Sequence, residues 1–214
     1  MEALQVNEIF YSIQGESSFA GRPCVFVRLT GCNLRCTWCD TAYAFHEGRR
    51  MGLDEILRAV EAHPARLVEL TGGEPLLQPD ALPLMRQLAD RGWTVLLETG
   101  GSLELTGVDP RVVRIVDVKC PGSGESERNL WSNLAGLRAT DEVKFVLVDR
   151  ADFDFAGQVL DQRLGGFEGT VHFSPVWGRL EPVTLAGWIL ESGRAVKLQL
   201  QLHKLLWPAE TRGV

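Results

Sequence analysis

Three cysteines lie in one short run, Cys32-Asn33-Leu34-Arg35-Cys36-Thr37-Trp38-Cys39, spaced by three residues and then by two. A [4Fe–4S] cluster is normally closed by four thiolates. A run of three leaves one iron without a protein ligand, and an open iron can take a substrate or cofactor. Zinc is the competing reading. Structural zinc wants four ligands, usually as two separated pairs. No second pair follows this run, and His46 would complete a set only if its loop folded back. Disulfides fit less well, because five cysteines is an odd number and no secretory context is evident.

A second polar motif, Thr71-Gly72-Gly73-Glu74-Pro75, places two glycines beside a carboxylate. Glycine lets backbone approach a ligand closely, and a carboxylate suits an ammonium group. The same five residues also read as a plain turn before a helix. Further polar groups collect at Thr30-Gly31, Glu98-Thr99-Gly100-Gly101, Asp117, Lys119, Ser174-Pro175, Gln199, Gln201 and His203.

Each of these groups follows a short apolar run. Strands are expected at 24–29, 67–70, 94–97, 115–118, 143–148, 170–173 and 196–202, nearly all apolar, as strands buried on both faces are. Helical periodicity at 53–62 aligns Leu53, Ile56, Leu57 and Val60. At 81–90 it aligns Leu82, Met85, Leu88 and Ala89. Strand–helix alternation implies a mainly parallel sheet with right-handed crossovers. Six or seven units fall short of eight, so the expected fold is a partial, (βα)6-type α/β barrel whose site lies at the C-terminal strand ends. The segment 120–133 reads as a long loop.

At 214 residues, with no repeat or linker, the chain is expected to form a single domain over 1–214. A net charge of -6 argues against a nucleic-acid partner held by phosphate contacts. The N-terminus lacks a basic start followed by an apolar stretch, and no window is long enough to span a membrane. A cytoplasmic location, where thiols stay reduced, is expected.

The triple-cysteine run after the first expected strand, with Gly72-Gly73-Glu74-Pro75 after the second, resembles the radical S-adenosylmethionine superfamily. Within it, the chain is similar to the 7-carboxy-7-deazaguanine synthase family. Phe10-Tyr11-Ser12-Ile13-Gln14-Gly15-Glu16-Ser17, Arg28-Leu29-Thr30-Gly31-Cys32 and Cys39-Asp40-Thr41 carry the likeness. So do Asp117-Val118-Lys119-Cys120-Pro121, Asp141-Glu142-Val143-Lys144 and Gln199-Leu200-Gln201-Leu202-His203-Lys204. The resemblance implies a lyase that contracts the ring of 6-carboxy-5,6,7,8-tetrahydropterin, releasing 7-carboxy-7-deazaguanine and ammonia on the way to queuosine-type bases. It implies a [4Fe–4S] cluster, S-adenosylmethionine and magnesium. It also implies an external one-electron reductant such as flavodoxin, and a homodimer.

Roles follow from the same resemblance. Cys32, Cys36 and Cys39 would hold the cluster, and Thr41 would ligate magnesium. Trp38, Gly73, Glu74, Glu98, Asp117 and Lys119 would contact S-adenosylmethionine. Ile13, Gln14, Gly15, Glu16, Arg28, Thr71 and His203 would contact the pterin, with Arg28 on its carboxylate and His203 reaching in from the last strand. Plain structural roles remain open for Trp38, Thr41, Thr99 and His203. Two rival readings are an activase that generates a glycyl radical on a protein partner, and a non-catalytic iron–sulfur or zinc module.

Overall fold

The computed structural model describes residues 2–214, so only the first residue of the expected 1–214 unit lies outside it. Nine strands form one sheet in the order β3-β1-β2-β4-β5-β6-β7-β8-β9. They are β1 (Ala3–Ile13), β2 (Pro23–Leu29), β3 (Arg49–Gly52), β4 (Leu67–Gly72), β5 (Thr94–Thr99), β6 (Val113–Asp117), β7 (Glu142–Leu147), β8 (Thr170–Pro175) and β9 (Lys197–Leu198). From β2 to β9 all neighbours pair parallel. At the other edge β1 runs antiparallel to β2 and to β3. The helices are α1 (Leu53–Glu61), α2 (Ala81–Asp90), α3 (Ser132–Ala135), α4 (Arg150–Arg163), α5 (Pro182–Ser192) and α6 (Leu202–Leu206).

The mainly parallel sheet is as expected, but its faces are not alike. Successive side chains alternate between faces. Val25, Val27, Leu29, Val68, Leu70, Val95 and Leu97 pack outward with α1 and α2. Val143, Phe145, Leu147, Val171 and Phe173 pack outward on the other half of the sheet. The inward face is closed at one end by Cys24, Phe26, Leu67, Leu96 and Ile115. Above that plug the inward positions turn polar: Arg28, Glu69, Thr71, Glu98, Asp117 and Lys144.

Three expectations need correction. The last strand was expected over 196–202, but only Lys197–Leu198 pairs with β8. The chain then turns into α6, so His203 reaches inward from a short helix, not from a strand. No helix joins β5 to β6, which breaks the strict alternation. The segment 120–133 is not all loop; it contains two short 3-10 turns and ends in α3.

Candidate active site

A cavity of about 720 Å³ opens at the C-terminal ends of the parallel strands, within the range for sites that enclose a small molecule. Cys32, Cys36 and Cys39 face it from the loop after β2. That loop is docked on the segment after β6. Thr37 N donates to Ser123 O at 3.0 Å, Thr37 Oγ1 to Gly122 O at 3.0 Å, and Arg35 N to Glu125 Oε1 at 2.6 Å. Burial pushes the Cys32 and Cys36 thiols up, with the Lys119 charge pulling the other way at both. A bound metal would deprotonate them outright.

Gly73 sits against the cysteine loop. A Cβ there would lie 2.8 Å from Cys32 Cβ and would collide with the Gly31 carbonyl. Because backbone is the obstacle, the neighbour cannot give way. Gly73→Ala is therefore expected to displace the cysteine loop and lower turnover by about 10²-fold, as misplacements near 1 Å do. Steady-state kinetics with iron content measured on the same sample checks this.

Glu74 departs from expectation. It is fully buried, and its carboxylate accepts from Leu76 N (3.1 Å), Gly100 N (2.8 Å) and Thr99 Oγ1 (2.9 Å). Burial raises its pKa, and these donors pull it back. Glu74 thus braces the glycine turn and presents no carboxylate to the cavity. The Thr99 hydroxyl is engaged in the same brace and accepts from Gly101 N at 3.2 Å, while Thr99 itself lines the cavity.

The other expected residues do line the cavity: Ile13, Gln14, Gly15, Glu16, Arg28, Trp38, Thr41, Thr71, Glu98, Asp117, Lys119 and His203. Lys119 Nζ bonds Asp117 Oδ2 at 2.8 Å, while Asp117 Oδ1 is buried without a partner. Arg28 Nε donates to Glu8 Oε1 at 2.7 Å. Gln14 Nε2 donates to Glu69 Oε2 at 2.5 Å, and Gln14 Oε1 accepts from Glu16 N at 3.1 Å. A Cβ on Gly15 would strike His203 Nδ1, so the glycine lets the histidine approach. Burial lowers the His203 pKa, against the pull of Glu16. Thr41 Oγ1 lies 3.8 Å from Cys39 Sγ.

Sequence reasoning assigned no role to Glu69, Lys144, Tyr43 or the tail residues 209–214, all of which line the same space. Glu69 is buried, and desolvation with the nearby Glu98 charge lifts its carboxyl well above the usual range. Charged residues inside the apolar runs 67–70 and 143–148 were the available signal, since such groups are buried only when partnered.

A model of the radical SAM superfamily matches residues 26–116, which hold the cysteine run and the glycine turn. The chain is 47% identical to 7-carboxy-7-deazaguanine synthase of Koribacter versatilis over 99% of its length and 100% of the relative's. The chain belongs to the 7-carboxy-7-deazaguanine synthase family. A second relative of that name, from Chlorobaculum tepidum, is 48% identical over 99% of this chain and 97% of its own. The crystal structure of QueE from Escherichia coli superposes with a TM-score of 0.80, covering 95% of this chain and 96% of that one at 23% identity, and shows the same fold.

Members of the 7-carboxy-7-deazaguanine synthase family are radical S-adenosylmethionine enzymes, so their cofactors are a [4Fe–4S] cluster and S-adenosylmethionine. The residues here fit both groups. All five cysteines are free, and three of them share the cavity. Three thiols on one cavity, with neither Cys24 nor Cys120 in its lining, match a cluster that keeps one iron open. The Gly73 backbone, which lines the cavity, and the partnerless Asp117 Oδ1 offer polar groups to the amino-acid or ribose portion of the cofactor.

Proposed function

We infer that this chain converts 6-carboxy-5,6,7,8-tetrahydropterin to 7-carboxy-7-deazaguanine and ammonia. One observation supports this most: the three thiols and a set of pterin-sized donors and acceptors line a single cavity. When bound, the cluster and S-adenosylmethionine supply the hydrogen-abstracting radical. The chain's own residues hold, orient and enclose. Cys32, Cys36 and Cys39 hold the cluster. Trp38, Gly73, Glu98, Asp117 and Lys119 surround the cofactor. Ile13, Gln14, Gly15, Glu16, Thr71 and His203 frame the pterin, and Arg28 takes its carboxylate. A cavity with polar groups from many strands favours a small molecule over the loop of a protein partner.

Thr41 is proposed as the magnesium ligand. The neighbouring Asp40 carboxylate is engaged by Lys204 Nζ at 2.6 Å, so one hydroxyl is the protein's donor and substrate and water supply the rest. Magnesium commonly binds with few protein ligands. Thr41→Ala is expected to raise the magnesium needed for half-maximal activity by about 10-fold or more, the size of effect that loss of a supporting group has at metal sites. A magnesium titration of both proteins checks it.

The reading includes a cytoplasmic location, an external one-electron donor such as flavodoxin, and a homodimer. The exposed apolar Val183 and Leu190 on α5 support the last. The test of the whole is anaerobic cluster reconstitution followed by incubation with the pterin, S-adenosylmethionine, reductant and magnesium. Carboxydeazaguanine is expected. Its absence from a protein carrying a full cluster would overturn the proposal.

A further inference from the structure

Lys144 projects from the middle of β7 into the lumen and is 5% exposed. Its Nζ lies 2.8 Å from Glu16 Oε2, hydrogen-bonds Glu98 Oε1, and is 3.8 Å from Asp117 Oδ2. The three carboxylates come from three places: the loop after β1, the end of β5 and the end of β6. An ammonium buried this deeply is costly unless paired. Burial works to strip its proton, but Glu16, Glu98 and Asp117 outweigh it and hold the amine well above the usual lysine range. Lys144 is therefore a fixed charge rather than a proton donor.

Each carboxylate is also held from elsewhere. Glu16 accepts from Gln199 Nε2 at 3.1 Å and Gln201 Nε2 at 3.0 Å. The next residue, Ser17, has φ +63°, and among the described residues it is the one non-glycine with positive φ. Its N–H donates to Gln199 Oε1 at 2.6 Å, which locks the loop. Glu98 Oε2 accepts from Thr71 Oγ1 at 3.3 Å. Asp117 is bound by Lys119. With its surroundings pinned, the ammonium is the shared element between the Glu16 side and the Glu98–Asp117 side.

We propose that Lys144 is a positioning residue that couples occupancy of the S-adenosylmethionine subsite to affinity at the substrate subsite. This rests on the function proposed above, in which Glu16 faces the pterin and Glu98 and Asp117 face the cofactor. Three carboxylates stand here against two ammoniums, those of Lys119 and Lys144, which suits a cationic sulfonium. Such a cation near Glu98 and Asp117 competes with Lys144 for them. The Lys144 charge then bears mainly on Glu16 and fixes that carboxylate for the incoming substrate. Coupling of this kind is reciprocal, so the pterin must tighten the cofactor by the same factor.

The test is equilibrium binding to anaerobically reconstituted protein without reductant, so that no turnover occurs. S-adenosylmethionine affinity is measured with and without saturating 6-carboxytetrahydropterin. In the wild type the pterin is expected to tighten the cofactor by about 5-fold or more, the usual span of such coupling. Lys144→Met is expected to bring the factor close to one. Glu98→Gln, which keeps Lys144 and the core volume, is expected to reduce it and decides the matter if the methionine variant does not fold. A purely structural lysine would lower the melting temperature and both affinities but leave the factor intact; that result overturns the inference, as does a wild-type factor of one. A wild type that binds neither ligand would sink the proposed function itself, and the inference with it.

Discussion

Cys36→Ala is expected to leave the protein without an assembled cluster and with no measurable carboxydeazaguanine. A three-thiolate site supplies one ligand to each of three irons, so losing one thiolate leaves two irons uncapped instead of one. No other thiol can take the place of Cys36. Cys24 belongs to the plug that closes the lumen and Cys120 to the apolar core on the outer face, and neither lines the cavity. The fold itself should survive. Cys36 lies in a loop outside the sheet, and the loop is held by Thr37, Arg35 and Asn33, whose Nδ2 donates to Ser102 Oγ at 3.0 Å. Iron and sulfide content, the visible absorption of the reconstituted protein and product formation measure the effect, with melting temperature as the control. A Cys36→Ala protein with full activity would refute the cluster assignment.

The parts of the fold legible in the sequence are those governed by one periodicity. Helix α1 buries Leu53, Ile56, Leu57 and Val60, the four residues that the 3.6-residue spacing aligns. The parallel strands stand where the apolar runs are. Strand β1 was not legible, because polar residues at Gln5, Asn7, Glu8 and Ser12 interrupt its apolar positions and most of it is only half-buried. At 196–202 the alternation of Val196, Leu198, Leu200 and Leu202 imitates a strand. Yet Leu198 and Leu200 stay exposed at the sheet's edge, and Leu202 N instead donates to Gly15 O at 2.9 Å. A local pattern cannot report that long-range bond. That most of the expected residues share one cavity was legible from their motifs, since backbone sterics fix where a glycine turn or a cysteine run can sit. Where a carboxylate points was not legible. Glu74 turns into its own loop, whereas Glu69, inside an apolar run, turns toward the cavity. Both outcomes depend on partners more than 20 residues away in sequence: Thr99 and Gly100 for Glu74, Gln14 for Glu69.

Arg28→Met is expected to lower kcat/KM about 10²- to 10³-fold, in line with the 2–5 kcal/mol lost when one partner of a buried, hydrogen-bonded charge pair is truncated. The guanidinium is held along one edge. Its Nε donates to Glu8 Oε1, which also accepts from Tyr43 Oη at 2.8 Å, and its Cζ lies 5.7 Å from the Phe10 ring centre. Burial, opposed by Arg28 and reinforced by Glu8, pushes the Tyr43 phenol up to about 12, so it remains a donor to Glu8 at any working pH. With Nε fixed, Nη1 and Nη2 are left to face a carboxylate side by side. If that bond is equally strong in ground and transition states, the loss falls on KM and spares kcat. Arg28→Lys should recover only part of it, because an ammonium cannot make two parallel bonds. A structural effect must be separated, since methionine leaves Glu8 without its cation. Arg28→Met combined with Glu8→Gln removes that stranded charge. The double variant should regain melting temperature while its kcat/KM stays low. A pterin lacking the carboxylate should bind wild type and Arg28→Met alike. If Arg28→Met instead lost affinity equally for both pterins, the guanidinium would be holding the pocket's shape and another group would be reading the carboxylate.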